Sequence, residues 1–464
     1  MIYTSFVDSK LRAHQSHGFD ADVSKFNLFP HQMALTKWAC RKGRSAIFAD
    51  TGLGKTRMQL AWSKCVFDYT DHDVLILAPL AVAEQTRLEG ESIGIKVTHA
   101  RSERDCQPGI NITNYDRLHL FDTRRFGAVV LDESSIIKHH DAKTLGLMMA
   151  AFSHAQYKLC ATATPAPNDY TELGTHAEFL GICSRSEMLS EYFVHDGGET
   201  QTWRLKGHAR QEFWRWVSSW GAVIQSPSDL GFDDSAYNLP PLMVQQITVE
   251  NDQSSTDGEL FAKEAQTLRE RRQARRDSLR HRVDACAAMI NNNSRPWIVW
   301  CELNDEGDAL KMAIPDAIEI RGSDTQQHKE QALLDFATGK IRVLITKPKI
   351  AGWGMNFQHC ADVAFVGVTD SYEAYYQAIR RCWRFGQKNP VTAYLFASDL
   401  EGAVRRNLDR KEKESKEMMF MLKQETGNAV RDEVIGQARH TNDYLADQYI
   451  KIPLFMTRHL KKAA

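Results

Sequence analysis

The stretch "ADTGLGKTRMQLAWS", residues 49–63, decides how the chain folds. It joins the apolar run "SAIFA" (45–49) to two glycines, a lysine and a hydroxyl residue, then to Met58, Ala61, Trp62 and Cys65 at helical spacing. A short apolar run predicts a buried strand, and the following stripe predicts a helix with one face turned to a core. The turn between them, Thr51-Gly52-Leu53-Gly54-Lys55-Thr56, is expected at the edge of a sheet. Glycines let the backbone wrap closely, and several N–H groups then converge at the positive end of a helix. Lys55 supplies a cation and Thr56 a hydroxyl for Mg2+. Such a cavity suits a nucleotide phosphate. The GxxxxGK[ST] spacing asks for glycine at position 49, where Ala49 stands, and a plain glycine-rich turn is the bland alternative.

Outward from this turn, the first half repeats the same grammar. "VLILA" (74–78), "AVVLD" (128–132) and "KLCAT" (158–162) are apolar runs of strand length, each leading into a polar or Gly/Pro-containing loop. Separated by helix-length stretches, they predict a parallel sheet buried on both faces. The pattern returns with "WIVWC" (297–301), "AIEIR" (317–321), "RVLIT" (342–346), "VAFVGV" (363–368) and "TAYLF" (392–396). Asp324 is the expected cap of a helix that ends at Gly339. Two α/β lobes in tandem follow. Residues 1–240 are read as the first lobe, with a helical insertion from about 170; 241–295 as a charged helical connecting segment; 296–440 as the second lobe with a C-terminal brace helix; and 441–464 as a tail.

Composition bounds the rest. A chain of 464 residues exceeds one compact core, and 43% hydrophobic with 25% charged residues describes a soluble globular protein. No apolar run is long enough to span a bilayer, and "MIYTSFVDSKLRAHQ" lacks a signal-peptide design, so no membrane partner is expected. Nine cysteines without a Cys-x-x-Cys pair fit a reducing compartment, and the cytoplasm is the expected location, the host's if the protein is phage-encoded. A net charge of −1 gives no global argument for a nucleic-acid partner.

"VVLDESSIIK" adds chemistry to the phosphate turn. Asp132 and Glu133 directly follow an apolar strand, so they are expected at the sheet edge where ligands of open α/β sheets sit. One carboxylate, Asp132, can hold Mg2+ together with Thr56, and Glu133 can orient or deprotonate an attacking water. An acidic turn after a strand is the bland reading.

Here the sequence resembles the superfamily two helicase-like ATPases, and among them the Swi/Snf-type DNA translocases, over about residues 28–415. "LFPHQ" looks like the adenine-reading motif with Gln32 as its glutamine, and "DTGLGKT" like the phosphate loop, which in that family tolerates the missing first glycine. "LAPLAVAEQTRLE" and "NITNYDRL" resemble nucleic-acid motifs, "LDESSIIKHH" the DEAD/DEAH box, and "ATATPAPNDYTELG" the motif coupling hydrolysis to nucleic-acid contact. "KIAGWGMNFQHCADV" is similar to the glycine-rich motif of the second lobe, with Gly352, Gly354 and Asn356 in place. In "YYQAIRRCWRFGQKNPVTAYLF", Gln377, Arg381, Arg384, Gly386 and Gln387 fall on the Q-x-x-x-R-x-x-R-x-G-Q pattern. The resemblance implies an α/β fold of two tandem RecA-like lobes with helical insertions between and after them. It also implies ATP and Mg2+, an arginine finger at Arg384 with Arg381 as companion, and nucleotide contacts from Gln32, Thr51, Gly52, Gly54, Lys55, Thr56, Gly354 and Gln377. Arg380 is adjacent but off the pattern. The expected activity is ATP-driven translocation on double-stranded DNA.

There are departures. The box reads Asp-Glu-Ser-Ser, so coupling assigned to a final histidine falls to Ser135 or another group. No Arg-Arg-x-Lys stretch precedes "LPPL" (239–242), and chromatin-reading additions are absent, which speaks against nucleosome remodelling. A minimal phage, prophage or bacterial translocase is expected, working beside a nuclease or a replication protein. The rivals are a strand-separating DNA or RNA helicase from the same fold and a nucleotide-gated recruitment subunit without turnover. The tryptophans of 203–220 could stack bases, but Phe213, Trp216, Val217 and Trp220 share one helical face and read as core. Arg269, Arg271, Arg272, Arg275, Arg276, Arg280 and Arg282 lie on DNA backbone or on a solvated helix. "KHHD" (138–141) lacks metal-ligand spacing and is assigned no metal.

Overall fold

The first apolar run forms the strand Arg44–Ala49, buried along almost its whole length, because a parallel sheet covered by helices on both faces leaves no side for polar residues. The computed structural model describes residues 16–79, 82–137, 143–166, 169–195, 203–249, 276–351, 355–367, 372–398 and 402–435. In chain order the strands of the first lobe are β1 (Arg44–Ala49), β2 (Asp73–Ala78), β3 (Val97–His99), β4 (Ile110–Asn114), β5 (Phe126–Asp132), β6 (Tyr157–Thr162), β7 (Phe193–His195), β8 (Trp203–Leu205) and β9 (Gly221–Ile224). Seven of them make one sheet, ordered β3-β4-β2-β5-β6-β1-β9 with every pair parallel, while β7 and β8 form a separate antiparallel ribbon. The second lobe holds β10 (Leu242–Val249), β11 (Trp297–Trp300), β12 (Ala317–Glu319), β13 (Val343–Thr346), β14 (Asp362–Phe365) and β15 (Val391–Ser398). They form a six-stranded parallel sheet ordered β10-β15-β14-β11-β13-β12.

Two parallel sheets with helices between their strands are the tandem RecA-like lobes expected from the sequence. The helix Lys55–Thr70 packs as its stripe requires: Met58, Ala61 and Trp62 are fully buried and Cys65 nearly so. Truncating Trp62 to alanine would cost about 3–5 kcal/mol. No helix among the described residues is long and apolar enough to cross a membrane.

Several local expectations change. Segment 241–295 is not wholly helical, because β10 lies within it and pairs with β15, while the helix Leu279–Asn291 packs on the second sheet. In the first-lobe insertion, the helices Leu173–Leu180, Arg185–Tyr192 and Arg210–Trp220 are joined by the ribbon and by β9. The helix Gln326–Ala337 is capped by Thr325, whose hydroxyl accepts from the His328 N–H at 3.3 Å, because Asp324 is turned to the Arg321 N–H at 2.7 Å. Gly339 closes that helix at φ +78°.

Phe213, Trp216, Val217 and Trp220 are buried together in a core cluster with Trp214, as the helical face predicted. Arg282 is fully enclosed, paired with Glu306 at 2.9 Å and donating to the Val366 carbonyl, so it cannot lie along a nucleic acid. Arg280 is exposed and pairs with Asp284 at 3.8 Å. Arg269, Arg271, Arg272 and Arg275, like "KHHD", lie outside the described residues. The long helix Gly402–Ile435 returns from the second lobe to the first. Val430 and Val434 enter the first-lobe core, Glu433 pairs with Lys42 at 2.8 Å, and Lys423 pairs with Asp229 at 2.5 Å.

Candidate nucleotide site between the lobes

Strand order assembles the site. β6 lies between β1 and β5, so the loop after β1, Thr162 at the end of β6 and the Asp132-Glu133 pair after β5 meet at one edge. The phosphate loop needs glycine at two places. Gly54 caps the helix Lys55–Thr70 at φ +81°, and a Cβ there would stand 2.1 Å from Gln32 Nε2. Gly52 sits at φ +93°, and a Cβ there would press on the Phe385 backbone of the other lobe at 3.2 Å. Both fail an L side chain on conformation as well as space.

Lys55 Nζ donates to the carbonyls of Ala49 at 2.9 Å and Asp50 at 3.4 Å, which holds it over the loop. Burial lowers its pKa, Glu133, Asp50 and Asp132 raise it, and Arg384 of the second lobe lowers it further. Asp132 is pushed up to about 6, first by burial and then by the neighbouring Glu133 charge, while Gln59 Nε2 donates to its Oδ1 at 2.6 Å. Glu133 turns the chain off the strand at φ +51°. A non-glycine residue there carries about 1–2 kcal/mol of backbone strain, a cost that clusters at functional sites. Thr162 Oγ1 donates to Glu133 Oε2 at 3.4 Å and accepts from the Thr164 N–H at 3.2 Å.

The hydroxyl of Thr56 and the carboxylate of Asp132 are hard oxygen donors suited to Mg2+. Asp132 stands buried beside a second carboxylate, Glu133, and two adjacent carboxylates with a hydroxyl are a donor set whose charge a divalent cation would balance. These residues fit the ion that the sequence implied.

From the second lobe, the turn after the helix Tyr372–Ile379 brings three arginines to the cleft. Arg381 is committed within its own lobe: it donates to the Gln377 carbonyl at 3.0 Å, Gln377 Oε1 at 2.9 Å and the Met355 carbonyl at 3.4 Å. Arg384 has a buried Nε without a hydrogen-bond partner, and its pKa falls to about 9 through burial and the charges of Arg381 and Arg380. Gln377 is fully buried, with its Nε2 also unpartnered. Gly352 and Gly354 lie outside the described residues. Asn356 retains a buried, unpartnered Oδ1.

Gln32 is buried and spans two elements: its Oε1 accepts from the Phe29 N–H and its Nε2 donates to the Leu53 carbonyl, both at 3.0 Å. Beside it, Tyr237 lies 4.8 Å from Phe385 and 5.2 Å from His31, ring to ring. Phe29 closes that cluster at 6.0 Å from Phe385.

Sequence patterns missed several of these groups. Arg380, off the motif, touches Asp50 and Thr51 across the cleft, and Tyr376 OH donates to Asp50 Oδ1 at 3.2 Å. His176 carries no local signal. It is fully buried and pushed down to about 4 by burial, so it is neutral, with one ring nitrogen donating and one accepting. Because the Glu172 carbonyl can only accept, Nδ1–H donates to it at 3.4 Å, and Nε2 accepts from the Ser134 hydroxyl at 3.1 Å. The box therefore reaches a histidine through Ser134, whereas the sequence had pointed to Ser135 or another group.

A second interlobe contact lies away from this cleft. Arg117, within "NITNYDRL", donates to Gln326 Oε1 through Nε at 3.2 Å, and Arg101 pairs with Glu330 at 3.3 Å.

Comparison with known proteins agrees with this geometry. The SNF2-related domain family matches residues 31–196, and the Helicase conserved C-terminal domain family matches residues 281–386. The chain is 34% identical over 83 residues to the bifunctional helicase and thymine dioxygenase JBP2 of Leishmania braziliensis, covering 18% of this chain and 8% of that protein. The Leishmania infantum JBP2 matches at 33% over 83 residues, with the same coverage. This chain thus spans under a tenth of the length of those relatives. A putative protein p41 of Acyrthosiphon pisum secondary endosymbiont phage 1 is 23% identical over 416 residues, covering 77% of this chain and 89% of that one.

Proposed function

Because the chain belongs to the Swi/Snf-type, helicase-like ATPases of superfamily two, we propose that it is an ATP-dependent translocase on double-stranded DNA that hydrolyses ATP between its lobes. The observation that carries this is the meeting of Lys55, Asp132 and Glu133 on one lobe with a partner-poor Arg384 on the other. The loop N–H groups of Gly52 to Thr56 and Lys55 bind the phosphates. Gln32 and the rings of Phe29, Tyr237 and Phe385 receive the adenine. Gln377 completes the second-lobe wall, and Gly354 is assigned to nucleotide contact by its motif alone. Thr56 and Asp132 would hold Mg2+, which when bound supplies charge neutralisation at the β- and γ-phosphates. Glu133 orients a water in line with the γ-phosphate and takes its proton. Arg384 stabilises the charge developing on the transferred phosphoryl, with Arg381 holding the turn in place.

Lobe closure is complete only with a triphosphate in the gap, so hydrolysis alternates closure and steps the protein along a strand. The similar phage protein supports a phage or prophage origin; host cytoplasm as the location and a nuclease or replication protein as the working partner belong to the same proposal. No strand-separating element is needed for stepping on a duplex.

The test is ATPase rate with duplex DNA, single-stranded DNA and RNA in parallel, followed by triplex-displacement and fork-unwinding assays. Stimulation by duplex and displacement of a third strand are expected. Robust unwinding of a simple fork would replace the translocase with a helicase, and a Lys55→Ala variant with undiminished turnover would remove the phosphate-loop assignment.

A further inference from the structure

We propose that Arg380 is a positioning residue that tethers the second lobe to the start of the phosphate loop, holding this corner of the cleft shut whether or not a nucleotide is bound. The inference rests on the proposed hydrolysis site but assigns a role to a residue outside its motif. Arg380 is almost fully enclosed, and its guanidinium addresses two consecutive residues of the other lobe. Its Nε donates to Thr51 Oγ1, its Nη2 donates to the Thr51 carbonyl at 2.6 Å, and its Nη2 lies 3.3 Å from Asp50 Oδ2. Tyr376, one turn earlier, adds the hydrogen bond to the other oxygen of the same carboxylate.

The guanidinium also lies over two rings, 5.7 Å from the Tyr376 centroid and 5.0 Å from that of Trp383. Trp383 is itself fixed, donating Nε1–H to the Pro240 carbonyl at 2.7 Å. A planar donor fork already bounded by aromatic rings loses little freedom when it binds, which is why arginine rather than lysine suits such a contact. Asp50 is half-engaged already: its Oδ1 accepts from the Thr51 N–H at 2.6 Å, which shapes the turn into Gly52.

The three arginines of this turn therefore differ by what they touch. Arg381 binds its own lobe, Arg384 keeps an unpartnered Nε in the cleft, and Arg380 binds protein groups of the opposite lobe. A contact made of protein at both ends does not disappear when a γ-phosphate leaves. Loss of phosphate then loosens the Arg384 side while the Arg380 side stays fixed. The second lobe pivots about the loop mouth instead of separating from it. The same contact fixes the Thr51 carbonyl and the Asp50 carboxylate, so it also preforms the turn whose N–H groups receive phosphate.

Interlobe distance in the full chain, without nucleotide or nucleic acid, tests this independently of turnover. Spin labels go on cysteines placed at Leu147 and Met312, which are exposed on the two lobes, after Cys106→Ser and Cys183→Ser remove the partly exposed thiols. Arg380→Gln and Asp50→Asn should each add a longer-distance population, Arg380→Lys should restore part of the short one, and Arg384→Ala should leave the distribution unchanged. The double variant Arg380→Gln/Asp50→Asn should open no further than either single one. In the same proteins, release of a fluorescent ADP analogue should quicken about tenfold or more with Arg380→Gln, as expected for removing one partner of an enclosed charge pair. An unchanged distance distribution in Arg380→Gln, or equal opening by Arg384→Ala, would overturn the tether. A protein that shows the tether yet hydrolyses no ATP would leave it standing and refute the proposed function alone.

Discussion

Asp132→Asn should stabilise the metal-free protein at neutral pH, although it removes a proposed Mg2+ ligand. The Asp132 carboxyl has a pKa of about 6 in the fold against an ordinary value of 3.8, a rise caused first by burial and then by Glu133. Between those two pH values the folded chain binds more protons than the unfolded one, so stability falls as pH rises through the window. Below pH ~4 both states are protonated and nothing is lost; above pH ~6 the full cost is present. Two pH units at 1.36 kcal/mol each give about 3 kcal/mol. Asparagine cannot charge, and its carbonyl oxygen can keep the Gln59 Nε2 donor, so it escapes that cost. The assay is urea unfolding in EDTA, read by hydrogen exchange on β5, for wild type and variant at pH 4.5 and 7.5. The variant should be more stable by up to about 3 kcal/mol at pH 7.5, with most of the difference gone at pH 4.5. Added Mg2+ and a nonhydrolysable ATP analogue should then stabilise only the wild type. Equal stability at pH 7.5, or a difference independent of pH, would show that Asp132 is not held against its charge.

Three further variants separate the roles across the cleft. Glu133→Gln should bind ATP with near-normal affinity and lower kcat by on the order of 10²–10⁴, since only the proton acceptor is lost; normal steady-state turnover would remove Glu133 from that role. Arg384→Ala should lower kcat about 10³-fold or more with little change in ATP affinity, as for an arginine acting on the transition state, and a loss confined to affinity would make it a binding residue. His176→Leu should keep basal hydrolysis within a few-fold and lose the stimulation by duplex DNA, because it cuts the Ser134 link and otherwise only the bond to the Glu172 carbonyl one turn away on the same element; equal stimulation in variant and wild type would sink that link. Duplex-stimulated turnover should fall steeply between 50 and 200 mM salt, and a flat salt response would argue against phosphate-backbone contacts.

Much of the fold was legible because buried parallel strands must be apolar throughout: β1, β2, β5, β6 and the central strands of the second sheet read directly from the sequence. Some of the strands not legible in the sequence break that rule or lack flanking signals, for identifiable reasons. In β4, Asn111 is fully buried, yet its amide is satisfied locally, accepting from the Gln107 N–H and donating to the Gln107 carbonyl, so a polar letter sits in a core strand. β10 is an edge strand with most of its residues exposed, so "LMVQQITV" carries no burial signature. β9 follows directly on a helix, with no turn residues to announce it beyond Gly221.

The site divides the same way. Lys55, Thr56, Asp132 and Glu133 are each announced by the strand that precedes them. Partners from distant elements are not: His176 meets Ser134 only because the helix Leu173–Leu180 packs against the turn that follows β5, and Arg380 meets Thr51 only because the two lobes face each other at the mouth of the phosphate loop.

The charges in the cleft explain why such long-range partners matter. Lys55, Arg380, Arg381 and Arg384 face Asp50, Asp132 and Glu133, with Glu89, itself paired with Arg57, also near Arg384, so cations outnumber carboxylates by one in this set before any ligand binds. The imbalance is not evenly spread. Asp50 neutralises Arg380 by direct contact, whereas Arg384 has its pKa lowered first by burial and then by the charges of Arg381 and Arg380. An arginine stripped of water and lacking a counter-charge is an unfavourable state that an anion relieves. The relief is worth most where the walls exclude water, and only a closed cleft does that. On the proposed function, binding energy for the phosphate is therefore also closing energy, delivered at the Arg384 side and withdrawn when the phosphate leaves. An enzyme built from this turn converts the loss of one anion into a rotation, because one of its three arginines answers to the ligand and another answers to the protein.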